Sequence, residues 1–231
     1  MRQLHQQQLK ILDGLLFSLS AKYSELKPIL MENSQFVFHL ERLIKMGLIK
    51  KGRAGYQLTT AGKEYANRIY VRDLKIIRQV KSTTVICACK EKNHQRFFLV
   101  YQRLKHPFFG CWGFPTEKPR WGEKLITAVA RGLKEEASLR GEGKLFAIRH
   151  YRVYSKKDKL LEDKLMHAFL FRNPQGKLKG SIEGNYCWVK EKDLIKKVKP
   201  PLEEFREFYQ ALKDFKNKIS FKEIDVKTKR F

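Results

Sequence analysis

Three charged side chains within six positions form the densest group of candidate chemistry in this sequence. Arg131, Glu135 and Glu136 lie in EKLITAVARGLKEEA, residues 123–137, where Leu125, Ala128, Val129, Leu133 and Ala137 recur at helical spacing. Arg131 and Glu135 are i and i+4, so the guanidinium can orient the carboxylate. Adjacent glutamates on a helix are commonly a solvated charged face. They can also present oxygens to a hard cation shared with phosphate. Position 132 shares the face of 135 and 136 but is glycine and adds no carboxylate. Upstream, Phe108, Phe109, Trp112 and Phe114 can stack a base, and Arg103 can take a phosphate. Ordinary loop and core packing accounts for any single one of these rings somewhat better. His106 and His150 have no partner at a ligating spacing and are given no role.

The elements that must position these residues begin at Thr83. TVICAC (84–89) and RFFLVYQ (96–102) read as strands joined by a polar turn. The Gly/Pro-punctuated loop FGCWGFP (109–115) follows, then the helix at 123–137. Further strands are predicted near 147–154, 165–171 and 186–189, and a helix over 201–215. Cys87 and Cys89 alternate along their strand and should face the same side.

This order, with its Trp-Gly-Phe-Pro loop and glutamate-rich helix, resembles the Nudix domain over residues 81–215. The family signature is G-x5-E-x7-R-E-U-x-E-E-x-G-U, U being aliphatic. Glu123, Arg131, Leu133, Glu135, Glu136 and Leu139 match it. Glu117 stands where the first glycine belongs, Gly132 where the glutamate after arginine belongs, and Ser138 where the second glycine belongs. The resemblance implies catalytic roles for Glu136, Glu135 and Arg131. It also implies a Mg²⁺ or Mn²⁺ ion that polarises phosphorus and activates water. Glu135 and Glu136 are then expected as ligands. Glu117 is a third, placed to compensate for Gly132, with Glu162, Asp163 and Glu183 further along the chain. Arg103, Trp112 and Phe114 are expected to bind the ligand, a nucleotide or phosphorylated small molecule. Loss of the glutamate at 132 weakens the expectation of efficient hydrolysis, because each metal ligand contributes to transition-state stabilisation.

Residues 1–70 follow a different pattern. Helices are expected over Gln3–Leu19, Ser24–Met31 and from Asn33 or Ser34, as cap, to about Met46, with Gly47 ending the last. LIKKGRAGYQLT (48–59) then reads as a basic hairpin, and TAGKEY opens another helix. The stretch FHLERLIKMGLIKKGRAGYQLTTAGKEY (38–65) resembles the winged helix-turn-helix fold. That resemblance places Gln35, His39, Arg42 and Lys45 toward the major groove of DNA and Lys50, Lys51 and Arg53 on the backbone. Winged helices also dock proteins or dimerise, and Phe36 and Phe38 make this helix unusually apolar.

The chain as a whole has 231 residues, 49 Lys plus Arg against 24 Asp plus Glu, and a formal net charge of +25. Residues 1–70 hold 11 basic and 5 acidic residues, a net of +6, so +19 lies in the remainder. The excess fits a polyanionic partner without identifying DNA. Aromatics at 12% exclude a mostly disordered chain. No apolar run approaches membrane-spanning length. The first ten residues lack an apolar signal core, and the four cysteines have no zinc-site or disulfide-scaffold spacing. A cytoplasmic location is expected.

The expected fold is α+β: a mostly α winged helix at 1–70, a connector at 71–80, a Nudix-type α/β/α sandwich at 81–215 and a basic C-terminal tail at 216–231. The preferred reading is a regulator in which DNA binding is coupled to sensing of a nucleotide or phosphorylated metabolite. One alternative is a Mg²⁺-dependent hydrolase of nucleoside diphosphate derivatives. Another is an RNA-binding or RNA-end-processing protein. No membrane partner is expected, and a homodimer is compatible with both resemblances.

Overall fold

The structure, a computed structural model, describes residues 4–66, 69–70, 75–76 and 79–230. It divides into two compact units, Met1–Arg78 and Gln79–Phe231.

In the first unit, helix α1 (Gln6–Leu16) is opened by a reciprocal cap. The Nδ1 of His5 accepts the Gln7 N–H at 3.2 Å, and the Gln8 side-chain oxygen accepts the His5 N–H at 2.9 Å. The helix stops at Leu16, short of the expected Leu19, which is exposed. Helix α2 is only Tyr23–Leu26, not Ser24–Met31. Pro28 explains the truncation: the residue before a proline is driven out of the helical region, and Lys27 is extended at ψ 118°. Helix α3 spans Asn33–Lys45 and starts one or two residues earlier than expected, with Glu32 rather than Asn33 or Ser34 at its cap. Gly47 (φ +71°) ends it, with the Leu48 N–H on the Leu43 carbonyl at 3.0 Å.

Strands β1 (Ile49–Gly52) and β2 (Gly55–Leu58) form the expected hairpin, and α4 (Thr60–Ala66) packs over it. Gly62 is required there, since a Cβ would sit 1.9 Å from the Leu48 carbonyl oxygen. Ile11, Leu12, Leu15, Phe36, Leu43 and Ile49 form the core of this unit. The order of helices and hairpin is compatible with a winged helix. Of the expected connector at 71–80, residues 71–74 and 77–78 lie outside the described residues. Short paired strands β3 (Ile69–Tyr70) and β4 (Lys75–Ile76) flank 71–74.

The second unit is built on a mixed sheet of β5 (Lys81–Lys92), β6 (Gln95–Arg103), β7 (Trp112–Gly113), β8 (Thr116–Glu117), β9 (Gly143–Ser155), β10 (Leu160–Arg172), β11 (Gly184–Lys190) and β12 (Ser220–Thr228). The main path runs β11-β6-β5-β10-β9-β12. Strand β10 is parallel to β5, placing Lys164 beside Lys81, and antiparallel to β9. Alternation along β5 sends Val85, Cys87 and Cys89 to one face and Ile86 and Ala88 to the other. Helix α5 (Leu125–Ala137) covers the second face through Val129, Leu133 and Ala137. After a 3₁₀ turn at Glu191–Asp193 and the short α6 (Leu194–Lys197), helix α7 (Phe205–Lys213) covers the first through Phe205 and Phe208. This is the α/β/α sandwich expected, and all four cysteines are free. No described helix is long and apolar enough to cross a membrane.

The C-terminal segment corrects the expectation of a basic tail. Residues 220–228 form β12, parallel to β9. Ile224 and Val226 pack on the core from alternate positions. Glu223 contacts His150 at 3.1 Å and Asp225 contacts Arg152 at 2.6 Å. The apolar alternation is only two residues long and is submerged in charge, which is why periodicity did not reveal it.

Candidate functional site

Arg131 is held on α5 by Ala128, Val129 and Leu133, which anchor the helix to the sheet, and it gathers the preceding loop onto the helix. Its Nε and Nη2 donate to the two Glu123 oxygens at 2.8 and 2.9 Å, a bidentate fork. Nη1 donates to Glu135 Oε2 at 2.9 Å, and Nη2 also reaches the Lys118 carbonyl at 3.1 Å. Glu117 Oε2 lies 3.4 Å from Nη1. The Arg131 hydrogen bond and the Arg120 N–H hold the Glu123 carboxyl at about 2, well below the usual carboxylate range. Glu123, Glu135 and Glu117 in turn raise the Arg131 pKa. The expected i,i+4 role of Arg131 toward Glu135 is what the structure contains. Ser138, in the left-handed region at φ +56°, ends α5 where the signature has glycine.

The three expected metal ligands do not gather. Glu135 is half-exposed on the outer side of α5, between Arg131 and Arg120, whose Nη2 is 3.3 Å away. Glu136 points elsewhere and accepts hydrogen bonds from Ser181 Oγ at 2.6 Å and from the Tyr186 hydroxyl. Burial, then this contact with Glu136, raises the Tyr186 pKa. Glu117 leans on Arg131 and accepts the Lys118 N–H at 2.7 Å. Among the described residues no three His, Cys, Asp or Glu side chains are grouped to hold a metal ion. Of the three expected ligands, Glu117 and Glu136 line one cavity and Glu135 lies outside it, so as placed they do not surround a single ion.

Glu117 and Glu136 line a cavity of about 300 Å³ bounded by β5, β6, β8, β10 and the loop at 105–108. Its buried wall carries Tyr101, Phe108, Met166 and Leu202, together with a charged chain. Lys164 Nζ is 2.9 Å from Glu162 and 3.9 Å from Glu204, and Lys81 lies 3.4 Å from Glu162. Burial opposes the charge on Lys164, but Glu204 and Glu162 outweigh it and raise its pKa. Burial likewise opposes the Glu162 carboxylate, and Lys164 and Lys81 bring its pKa below the usual range. Exposed Lys81, Lys105 and Lys118 stand at the rim. An anionic group at the rim and a hydrogen-bonding or ring group inside would both find complementary surface.

Of the expected ligand-binding residues, Arg103 lines this cavity, but its guanidinium donates to the Pro107 and His106 carbonyls at 2.7 and 3.3 Å and so holds the loop. Phe114 is a correction: it is 3% exposed in the core against Phe98 and Phe205. Trp112 is another. Pairing of β7 with β6 turns it against the core, under the Lys197 ammonium at 4.2 Å, and it does not line the cavity. Phe108 does line it, 5.7 Å below Lys164 Nζ. Glu162 and Glu183 also reach the cavity, whereas Asp163 is engaged by His150 at 2.7 Å. Lys164, Glu204, Tyr101 and Tyr186 were not singled out from the sequence. Strand pairing sets Lys164 beside Lys81 and Tyr186 beside Tyr101, Glu204 comes from the start of α7, and no local spacing signals any of them.

In the first unit, Gln35, Arg42 and Lys45 are exposed on α3, and Lys50, Lys51 and Arg53 on or beside the hairpin. His39 departs from this set. It is half-buried, its ring stacks on His5 at 4.8 Å, and its Nδ1 is buried with no hydrogen-bond partner. Burial, then His5, lowers its pKa.

Comparison with known proteins follows the same division. The family model for the NUDIX domain matches residues 80–212. The NUDIX domain of Shewanella oneidensis NrtR, solved in complex with ADP ribose, superposes with a TM-score of 0.53 at 15% identity, covering 68% of this chain and 98% of that one. The MutT protein from Bacillus halodurans gives 0.52 at 17% identity, covering 66% and 94%. No curated protein matches. Because the family model spans more than half of the sequence, this chain belongs to the Nudix domain family.

Proposed function

We propose that this protein is a regulator whose Nudix domain binds a nucleotide or phosphorylated metabolite without hydrolysing it, and whose N-terminal unit binds DNA in response. The observation that carries the reading is the engagement of every candidate carboxylate. Glu135 is paired with Arg131 and Arg120, Glu136 with Tyr186 and Ser181, and Glu117 with Arg131. Catalysis of diphosphate hydrolysis through a hard cation needs oxygens free to share it with substrate. The cavity instead offers rim lysines to phosphate and a buried polar wall to the rest of the ligand. The exposed cations on α3 and the hairpin support the DNA half of the proposal. The ADP ribose complex of the NrtR domain makes ADP ribose the first ligand to try.

The test is titration calorimetry of the full chain with ADP ribose and a panel of nucleoside diphosphates, followed by mobility-shift assays with DNA. Saturable binding with intact ligand recovered, together with altered DNA affinity, is the expected result. No ligand in the panel binding, or none changing DNA affinity, would sink the reading. The second reading, a Mg²⁺- or Mn²⁺-dependent hydrolase, is favoured by Glu117 and Glu136 sharing one cavity. Phosphate-containing products that disappear in Glu136→Gln would establish it.

A further inference from the structure

Gly132 lies against Glu117 so closely that the two positions share one space. A Cβ on Gly132 would sit 2.6 Å from Glu117 Cβ, 2.9 Å from its Cγ and 3.2 Å from Ile86 Cδ1. The opposing atoms are the stem of Glu117, not its mobile end, so a rotamer change does not relieve the contact. Nor can residue 117 retreat. Strand β8 is paired with β5 at Thr84 and Val85, and the Glu117 carbonyl accepts the Thr84 hydroxyl at 3.1 Å. Ile86, on the neighbouring strand β5, closes the remaining side.

We infer that Glu117 and Gly132 are a reciprocal exchange: one glutamate serves the two positions, and it is supplied by the strand rather than by the helix. The signature has glycine at 117 and glutamate at 132, the opposite arrangement. The consequence is directional. A glutamate at 132 would project from the same helix face as Glu136, one turn away. Glu117 instead projects from β8 toward Arg131 Nη1 and its own loop. Glu117 is thus a positioning residue that completes the grip of Arg131 on residues 117–123, while the helix itself carries no carboxylate at 132, one turn before Glu136. This deepens the proposed non-hydrolytic binding and rests on it. It accounts for a helix-weakening glycine in the middle of α5 as the necessary partner of Glu117, not as an isolated loss.

A double-mutant cycle on the full chain tests it. In the parent, Gly132→Glu is expected to lower Tm by roughly 5 °C or more. In a Glu117→Gly background the same change should leave Tm unaltered or raise it, since glutamate is the better helix former. Equal shifts in both backgrounds would overturn the inference. If Gly132→Glu does not accumulate, Gly132→Ala carries the same comparison, because the Cβ alone makes the contact. The functional half is read by Mn²⁺ titration without any substrate. The exchanged variant, Glu117→Gly with Gly132→Glu, should bind one Mn²⁺ at least about tenfold more tightly than the parent. No gain would show that the exchange is not what keeps a cation from this face. Neither readout uses the regulatory ligand, so failure here is separate from failure of ligand binding by the parent.

Discussion

The Arg131 cluster on α5 and the charged chain of the cavity wall, on β10, β5 and the start of α7, use charge differently. On the helix, Arg131 neutralises carboxylates through a bidentate fork and single hydrogen bonds, partly in contact with solvent. In the cavity, Lys164, Glu162, Lys81 and Glu204 form a chain with three of its four side chains at 13% exposure or less. The first arrangement ties a loop to a helix. The second holds opposite charges close together where a ligand can meet both donors and acceptors. Removing one member should therefore cost more on the cavity side, because the remaining charges have less water to turn to.

The largest effect is expected from Lys164→Met, which leaves Glu162 and Glu204 on the buried wall with Lys81 alone. A loss of about 3 kcal/mol in denaturant unfolding is expected, with ligand binding abolished. If stability were unchanged, the buried chain would not be an interacting network. Arg131→Met should cost about 2 kcal/mol, the scale of a hydrogen bond to charge, and should make the segment around Lys118–Glu123 newly sensitive to protease. An unaltered digestion pattern would contradict its clamping role.

The Glu123 carboxyl provides a pH test of the same clamp. Its folded value of about 2 lies below the ordinary 4.5, so its stabilisation is present above pH 4.5 and is lost as pH falls toward 2. The Tm difference between the parent and Glu123→Gln should shrink across that interval. A constant difference would show that ionisation of Glu123 is irrelevant. The smallest effect is expected from Glu135→Gln. Its side chain is 48% exposed, and such pairs contribute about 0.5 kcal/mol or less. A large loss there would remove the distinction between the two charged clusters.

Much of this architecture was legible before the structure. The apolar period of residues 125–137 and the alternation around Cys87 and Cys89 encode local geometry, and those elements formed as expected. The failures have identifiable physical sources. Pro28 stopped α2 through its effect on the residue before it. The strand at 220–228 depends on pairing with β9, a contact far away in sequence. Phe114 and Phe108 are both aromatic residues in one loop region, and only tertiary packing decides that the former enters the core and the latter the cavity. The exchange of Glu117 and Gly132 was visible as two separate departures from a signature. Their dependence on each other appeared only with the 2.6 Å approach.

Binding without turnover is decided by one incubation. The full chain is mixed with ADP ribose and Mg²⁺ or Mn²⁺, the bound and free ligand are separated, and both fractions are analysed by mass. Saturable binding with the ligand recovered intact in each fraction is the expected result. Conversion to AMP and ribose phosphate, abolished by Glu136→Gln, would contradict it.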